Sequence, residues 1–164
     1  MRTLLHVGCG SEPLPGWLRD FTETRLDISP DVQPDIVASM LDMGDIGEFD
    51  AVFCQHALEH LYAHEVGIAL AEFRRVLKPG GHLIVFVPDL HGVQATETVI
   101  LHSPAGPITG IDMIYGHREF IKTNPHMQHK TGFVQETLRQ ALTGFSKVVV
   151  ERMGNYNLMA ACVK

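Results

Sequence analysis

The first residues able to do chemistry lie in the run "TLLHVGCG" (3–10), where an apolar stretch leads straight into Gly8 and Gly10. Glycines at that point let a ligand approach the backbone closely, because no side chain intervenes. A dinucleotide loop would continue to a third glycine and a helix whose N-terminus faces a pyrophosphate. Here "SEPLPGWL" (11–18) follows, with Pro13 and Pro15 where that helix should start. NAD- or FAD-dependent redox chemistry is therefore disfavoured, and the loop suits an adenosine or amino-acid portion without phosphate. Asp27 closes the next apolar run, where an acid can bind both hydroxyls of a ribose. Capping the following turn is its plainer alternative role.

Ten histidines form a second chemical resource. His56, His60 and His64 are four apart, a spacing that can hold a metal on one helix face. However, His56 is expected to precede the helix, and no cysteine or close pair of acids completes a ligand set, so no metal is expected. His91, His117, His126 and His129 share residues 89–130 with Asp89 and Tyr115.

At 164 residues, with 45% hydrophobic and 20% charged residues, the chain suits one globular domain. A net charge of −6, with no Lys/Arg run, argues against nucleic acid as a partner. Cys9, Cys54 and Cys162 form no C-x-x-C pair and read as reduced thiols. No apolar segment reaches membrane-span length, and the start lacks a secretory pattern, so no membrane association and a cytoplasmic location are expected.

The elements that must position these residues are legible as short apolar runs at 3–7, 24–28, 35–38, 50–55 and 82–87. They lack clean alternation, as strands buried on both faces do. Val66, Ala69, Leu70, Phe73, Val76 and Leu77 repeat at helical spacing, and Pro79 with Gly80 is expected to end that helix. A second helix is expected at 133–142, with strands at 146–153 and 157–164 joined as a hairpin. The first two crossovers, 8–23 and 29–34, look almost free of helix. Residues 89–130 read as a lid-like insertion in which only 90–102 has helical promise. One sheet face is then thinly covered, to be completed by the insertion, a second copy or a partner subunit. Trp17 is expected to plug part of it.

Four segments, "LLHVGCG", "RLDIS", "FDAVFCQHALEHL" and "FRRVLKPGGHLIVFVPD", resemble in order and spacing the motifs of class I S-adenosylmethionine-dependent methyltransferases. The resemblance covers residues 3–89. The later "HKTGFVQETLRQAL" is similar to a block in a compact subgroup of predicted methyltransferases, some associated with cell-surface glycan biosynthesis. It implies an α/β fold with a Rossmann-like, mostly parallel seven-stranded sheet, a C-terminal antiparallel hairpin and reduced helices on one face. It implies S-adenosyl-L-methionine as cofactor, with Gly8 and Gly10 against its methionine part and Asp27 on its ribose. Met40 and Leu41 would pack on the adenine, Asp42 would meet the adenine amino group, and Gln55 and His56 would border the methyl. The acceptor would be a small molecule or glycan precursor. A base is needed for a hydroxyl or amine acceptor; His56 and His129 stand first by position, followed by Tyr115 and Asp89. A non-catalytic cofactor-binding module serving a partner is the alternative.

Overall fold

A computed structural model describes residues 1–104 and 106–164. The main sheet contains β1 (Arg2–Val7), β2 (Phe21–Asp27), β3 (Ile36–Val37), β4 (Phe49–Gln55) and β5 (Leu77–Pro88). A small separate hairpin pairs β6 (Val99–Ser103) with β7 (Gly106–Thr109), and the main sheet is completed by β8 (Ser146–Met153) and β9 (Asn157–Val163). The seven main strands run in the order β3-β2-β1-β4-β5-β9-β8. The first five are parallel; β9 is antiparallel to β5, and β8 to β9. Left-handed Asn155 and Tyr156 make the tight turn between β8 and β9, as the expected hairpin requires.

Helix α1 (Ala63–Arg75) buries Val66, Ala69, Leu70 and Phe73, one stripe of an amphipathic helix. Together with α4 (Gln135–Ala141) it covers one sheet face, where Leu5, Val7, Val52, Cys54, Leu83 and Val85 join Phe73, Leu138 and Leu142 in one core. A fully buried side chain of this size contributes roughly 1.5–3 kcal/mol. All three cysteines lie buried as free thiols.

The opposite face is thin, as expected. The first two crossovers hold only short 3₁₀ turns, Gly16–Leu18 and Pro30–Val32. Leu4, Leu18, Ala51 and Phe53 form a small second core there, rimmed by Leu14, Phe21, Ile84 and Phe86. Trp17 meets Phe53 edge-on at 6.0 Å yet stays 60% exposed, so it plugs this face only in part. Ile84 pairs with Ala161, and Ala161 with Val149, so the half-exposed surface extends across β5, β9 and β8.

Two local expectations are corrected. Helix α1 ends at Arg75 with right-handed Val76 as its cap, not at a glycine. Gly80 (φ +76°) lies instead within a bulge of β5, where the register against β4 jumps from Leu77 to His82. Residues 90–102 form no helix: their β-branched end, Val99 and Ile100, enters β6. The helices of this region are α2 (Gly110–Tyr115) and α3 (Arg118–Thr123), beyond Pro107, with Thr109 and Asp112 forming a capping box.

Glu72 on α1 locks the segment that follows β3. Its carboxylate accepts from Met43 N at 3.0 Å and from Arg75 at 2.7 Å, and Arg75 also donates to Gly44 O at 2.8 Å. The Arg75 hydrogen bond holds the Glu72 carboxyl down at about 2. Below about 4.5 the unfolded chain then binds more protons than the folded one. The contribution is therefore complete above that pH and is lost as pH falls towards about 2. In urea unfolding, Glu72→Gln is expected to cost about 1 kcal/mol at pH 7 and to flatten the acid dependence of stability.

Candidate active site

The parallel strands β1 to β5 deliver their carboxyl ends to one edge of the sheet. After β1 the chain turns at Gly8 (φ +64°) and Gly10 (φ +50°), both left-handed. Gly8 N and Cys9 N both donate to Leu26 O, at 2.9 and 3.2 Å, and Gly10 N donates to Asp27 Oδ2 at 2.8 Å. Arg25 clamps the loop from below, donating to Gly10 O at 2.7 Å and Glu12 O at 2.9 Å. A Cβ on Gly8 would lie 2.6 Å from Ala57 Cβ, whereas one on Gly10 would meet nothing within 4 Å. The loop thus leans on the chain leaving β4 and is open at Gly10.

Asp27 performs the turn role weighed for it, since its Oδ1 also accepts from Ser29 N at 2.9 Å. Each carboxylate oxygen has two acceptor positions, so the half-buried group still has room for ligand hydroxyls. Met40 and Leu41 lie half-buried in a tight turn closed by Asp42 N donating to Ser39 O at 3.1 Å. Met40 reaches to 3.9 Å from the Cβ position of Gly8. Asp42 is exposed and accepts from Gly44 N. Gly8, Gly10, Asp27 and Met40 are therefore drawn together into one crest at this edge, where β4 also ends in exposed Gln55.

His56 follows with φ +50°, an uncommon conformation for a bulky residue that tends to mark functional positions. It precedes the 3₁₀ turn Leu58–His60, and His64 lies in α1, so the three spaced histidines share no helix face. His56 Nδ1 faces Glu59 Oε1 at 3.4 Å. Glu59 is only 2% exposed, and its Oε2 is buried without a hydrogen-bond partner. Its backbone carbonyl accepts from Lys130 N at 2.8 Å and Thr131 N at 3.2 Å, which brings His129 beside it. The His60 and His129 rings lie 5.3 Å apart. Their Nδ1 atoms bond the Gln128 and Met113 carbonyls at 3.2 and 3.0 Å. Burial pushes the Glu59 carboxyl up, but His56 and the imidazoles of His60 and His129 outweigh it and hold the carboxylate below its usual range. Burial pushes the His129 imidazole down, against the pull of Glu59.

The fold brings His56 and His129 together around Glu59 and His60, and separates the other expected bases. Asp89 is buried against Arg152 at 3.1 Å and also accepts from His91 N, so it ties the end of β5 to β8. The Tyr115 side chain is exposed; its carbonyl accepts from His129 N at 3.0 Å. Glu59 was missed in the sequence. The signal was the acid in "HALEH", which reads there as helix start; nothing nearby announces that His129 will join it.

Residues 5–85, about half of the chain, match a family model described as a methyltransferase domain. The chain belongs to the class I S-adenosylmethionine-dependent methyltransferases. S-adenosylmethionine is accordingly its methyl donor. Among solved structures, Streptomyces venezuelae DesVI superposes with a TM-score of 0.70 at 18% identity, over 99% of this chain and 83% of that one. A SAM-dependent methyltransferase from Archaeoglobus fulgidus gives 0.68 at 14%, over 99% and 86%. The DhpI–SAH complex gives 0.65 at 17%, over 98% and 75%. At these identities the likeness establishes the fold. No curated protein matches by sequence.

Two clefts of this methyltransferase lie off the crest. One, of about 250 Å³, is lined by Arg2, Phe21, Asp50 and Lys78 at the opposite sheet edge; another lies beside Asp112, His117 and Arg118. Neither includes the glycine loop. Among the described residues, no helix is long and apolar enough to cross a membrane.

The two loop glycines should respond differently to substitution. Gly10→Ala is expected to cost about 1–2 kcal/mol of left-handed strain only. Gly8→Ala adds a collision with Ala57 and should lower thermal stability by clearly more, as scanning calorimetry of the two variants would record.

Proposed function

We propose that this methyltransferase binds S-adenosylmethionine along the crest and methylates a small-molecule oxygen or nitrogen acceptor, using His56 as general base. The observation that carries this reading is the placement of the His56–Glu59 pair on either side of Ala57, the residue that abuts the glycine loop. Gly8 and Gly10 take the methionine part, Asp27 the ribose hydroxyls, Met40 and Leu41 the adenine ring, and Asp42 its amino group. Gln55 borders the methyl. The donor supplies an electrophilic methyl on a positive sulfonium and leaves as a neutral thioether, and a net charge of −6 opposes neither state.

His56 can act because its two ring nitrogens have separate tasks. Nδ1–H faces the buried Glu59 carboxylate, which orients the ring and stabilises the imidazolium that forms. Nε2 is left to take the acceptor's proton as its oxygen or nitrogen aligns with the methyl. The 3.4 Å separation is long, as such contacts often are before substrates bind. A base of this kind contributes roughly 10²–10⁴-fold.

Residues 89–130 are proposed to act as a lid over the acceptor, anchored where Lys130 and Thr131 bond Glu59. The open face across β5, β9 and β8 supports a second copy or partner subunit as its cover. That feature favours the alternative of a cofactor-binding module working with a partner. Sedimentation is expected to give a dimer mass, and a clean monomer would contradict a self-associating face.

Calorimetric titration is expected to show binding of S-adenosylmethionine and its demethylated product, weakened about tenfold or more by Asp27→Ala. Transfer of labelled methyl into small-molecule fractions should fall at least about a hundredfold in His56→Ala with product affinity unchanged. Absence of binding by either methionine derivative would overturn the reading. Binding without transfer in the wild type would favour the partner-module alternative.

A further inference from the structure

We propose that Glu59, His60 and His129 form a site for one divalent transition-metal ion of the zinc class, beside the methyl-transfer crest. Each residue offers one ligand atom, and these atoms lie within 4.8 Å of one another. The second, independent observation is Glu59 Oε2, which is buried and has no hydrogen-bond partner. An unpaired carboxylate oxygen in such a place loses its hydration and gains nothing in exchange, unless a cation completes it.

The histidines are presented as metal ligands are. The Nδ1 atoms of His60 and His129 contact the carbonyl oxygens of Gln128 and Met113 at 3.2 and 3.0 Å. A carbonyl only accepts, so Nδ1 carries the hydrogen in both rings and Nε2 keeps its lone pair. Ligating histidines commonly donate their other ring N–H to a carbonyl in this way, which holds the ring and the tautomer. A two-imidazole, one-carboxylate set suits zinc, iron(II), cobalt or nickel, whereas magnesium and calcium seek oxygen-rich shells. Tetrahedral bonds of about 2.0–2.1 Å would draw the donors together by at most about 1.5 Å, a side-chain adjustment.

Glu59 can serve this ion and His56 at once, through Oε2 and Oε1 respectively. The ligands come from the turn after β4 and from the far end of the 89–130 segment, so an ion would staple that segment's return to the sheet edge. Three protein ligands also leave a coordination position open. In the sequence the ligand set is incomplete, because the third ligand, His129, is supplied by topology and not by local spacing. The site stands on this geometry and does not rest on the acceptor or the base proposed above.

The test uses untagged full-length protein, stripped with a chelator and desalted. Titration with Co²⁺, followed by visible absorption, is expected to saturate at one ion per chain; Zn²⁺ should displace it and Mg²⁺ should not. His60→Ala and His129→Ala should each weaken Co²⁺ binding at least about tenfold, with circular dichroism confirming the fold. His64, exposed and stacked on Tyr62, is the control, and His64→Ala should retain one ion. No saturable binding, or binding indifferent to His60→Ala and His129→Ala, would overturn the site. An equal loss in His64→Ala would place the ion on surface histidines and overturn it as well. Product affinity measured on the same samples separates this result from the methyl-transfer reading, whose failure would show as loss of that binding.

Discussion

The placement of β1 between β2 and β4 is the constraint on which the rest of the structure depends. Val7 pairs with Leu26 on one side and with Cys54 on the other, all three strands running in parallel. Parallel neighbours end at one edge, so the turns after β1, β2 and β4 converge there. The sheet order also reverses at β1, and ligands of open α/β sheets bind at such a switch point. Gly8 shows how tightly the convergence is drawn: its backbone comes so near Ala57 that no side chain fits between them. The same pairing sets the glycine loop, Asp27 and His56 side by side.

Around that edge, polar groups are arranged against the tendency of a core to exclude them. A fully buried carboxylate such as Glu59 is costly unless it is paired, and only one of its oxygens finds a partner, His56. The fold retains it by bonding its carbonyl to Lys130 and Thr131, so the residue joins the sheet edge to the end of the 89–130 segment. Asp89, also buried, has a different purpose. Arg152 satisfies it, and the pair closes the antiparallel end of the sheet. Burial alone therefore does not identify chemistry; what distinguishes Glu59 is the oxygen left over and the imidazoles around it.

Much of this was legible in the sequence where the signal is local. Apolar runs marked the five parallel strands because such strands are buried on both faces, and the turn between two further runs marked the hairpin of β8 and β9. Gly8, Gly10 and Asp27 were legible because a turn and a strand end must carry such residues. The stop of α1 and the fate of 90–102 were not, since both depend on strand pairing: β4 draws Leu77 into the sheet, and β7 captures Val99 and Leu101. The His56–Glu59–His60–His129 group was legible only in pieces. No pattern in the chain ties residue 129 to residue 59; that contact follows from the path of the insertion. Asp89 read as a candidate base for the same reason, since its partner Arg152 lies in a distant hairpin.

The central claim is that one crest holds the methyl donor with its reacting end towards His56. A crystal structure of the full chain with S-adenosylhomocysteine tests it most directly. The account predicts the ribose hydroxyls on Asp27, the amino-acid portion against Gly8 and Gly10, and the sulfur facing His56. The product bound instead in the cleft beside Asp112 and Arg118, or with its sulfur turned away from His56, would contradict it.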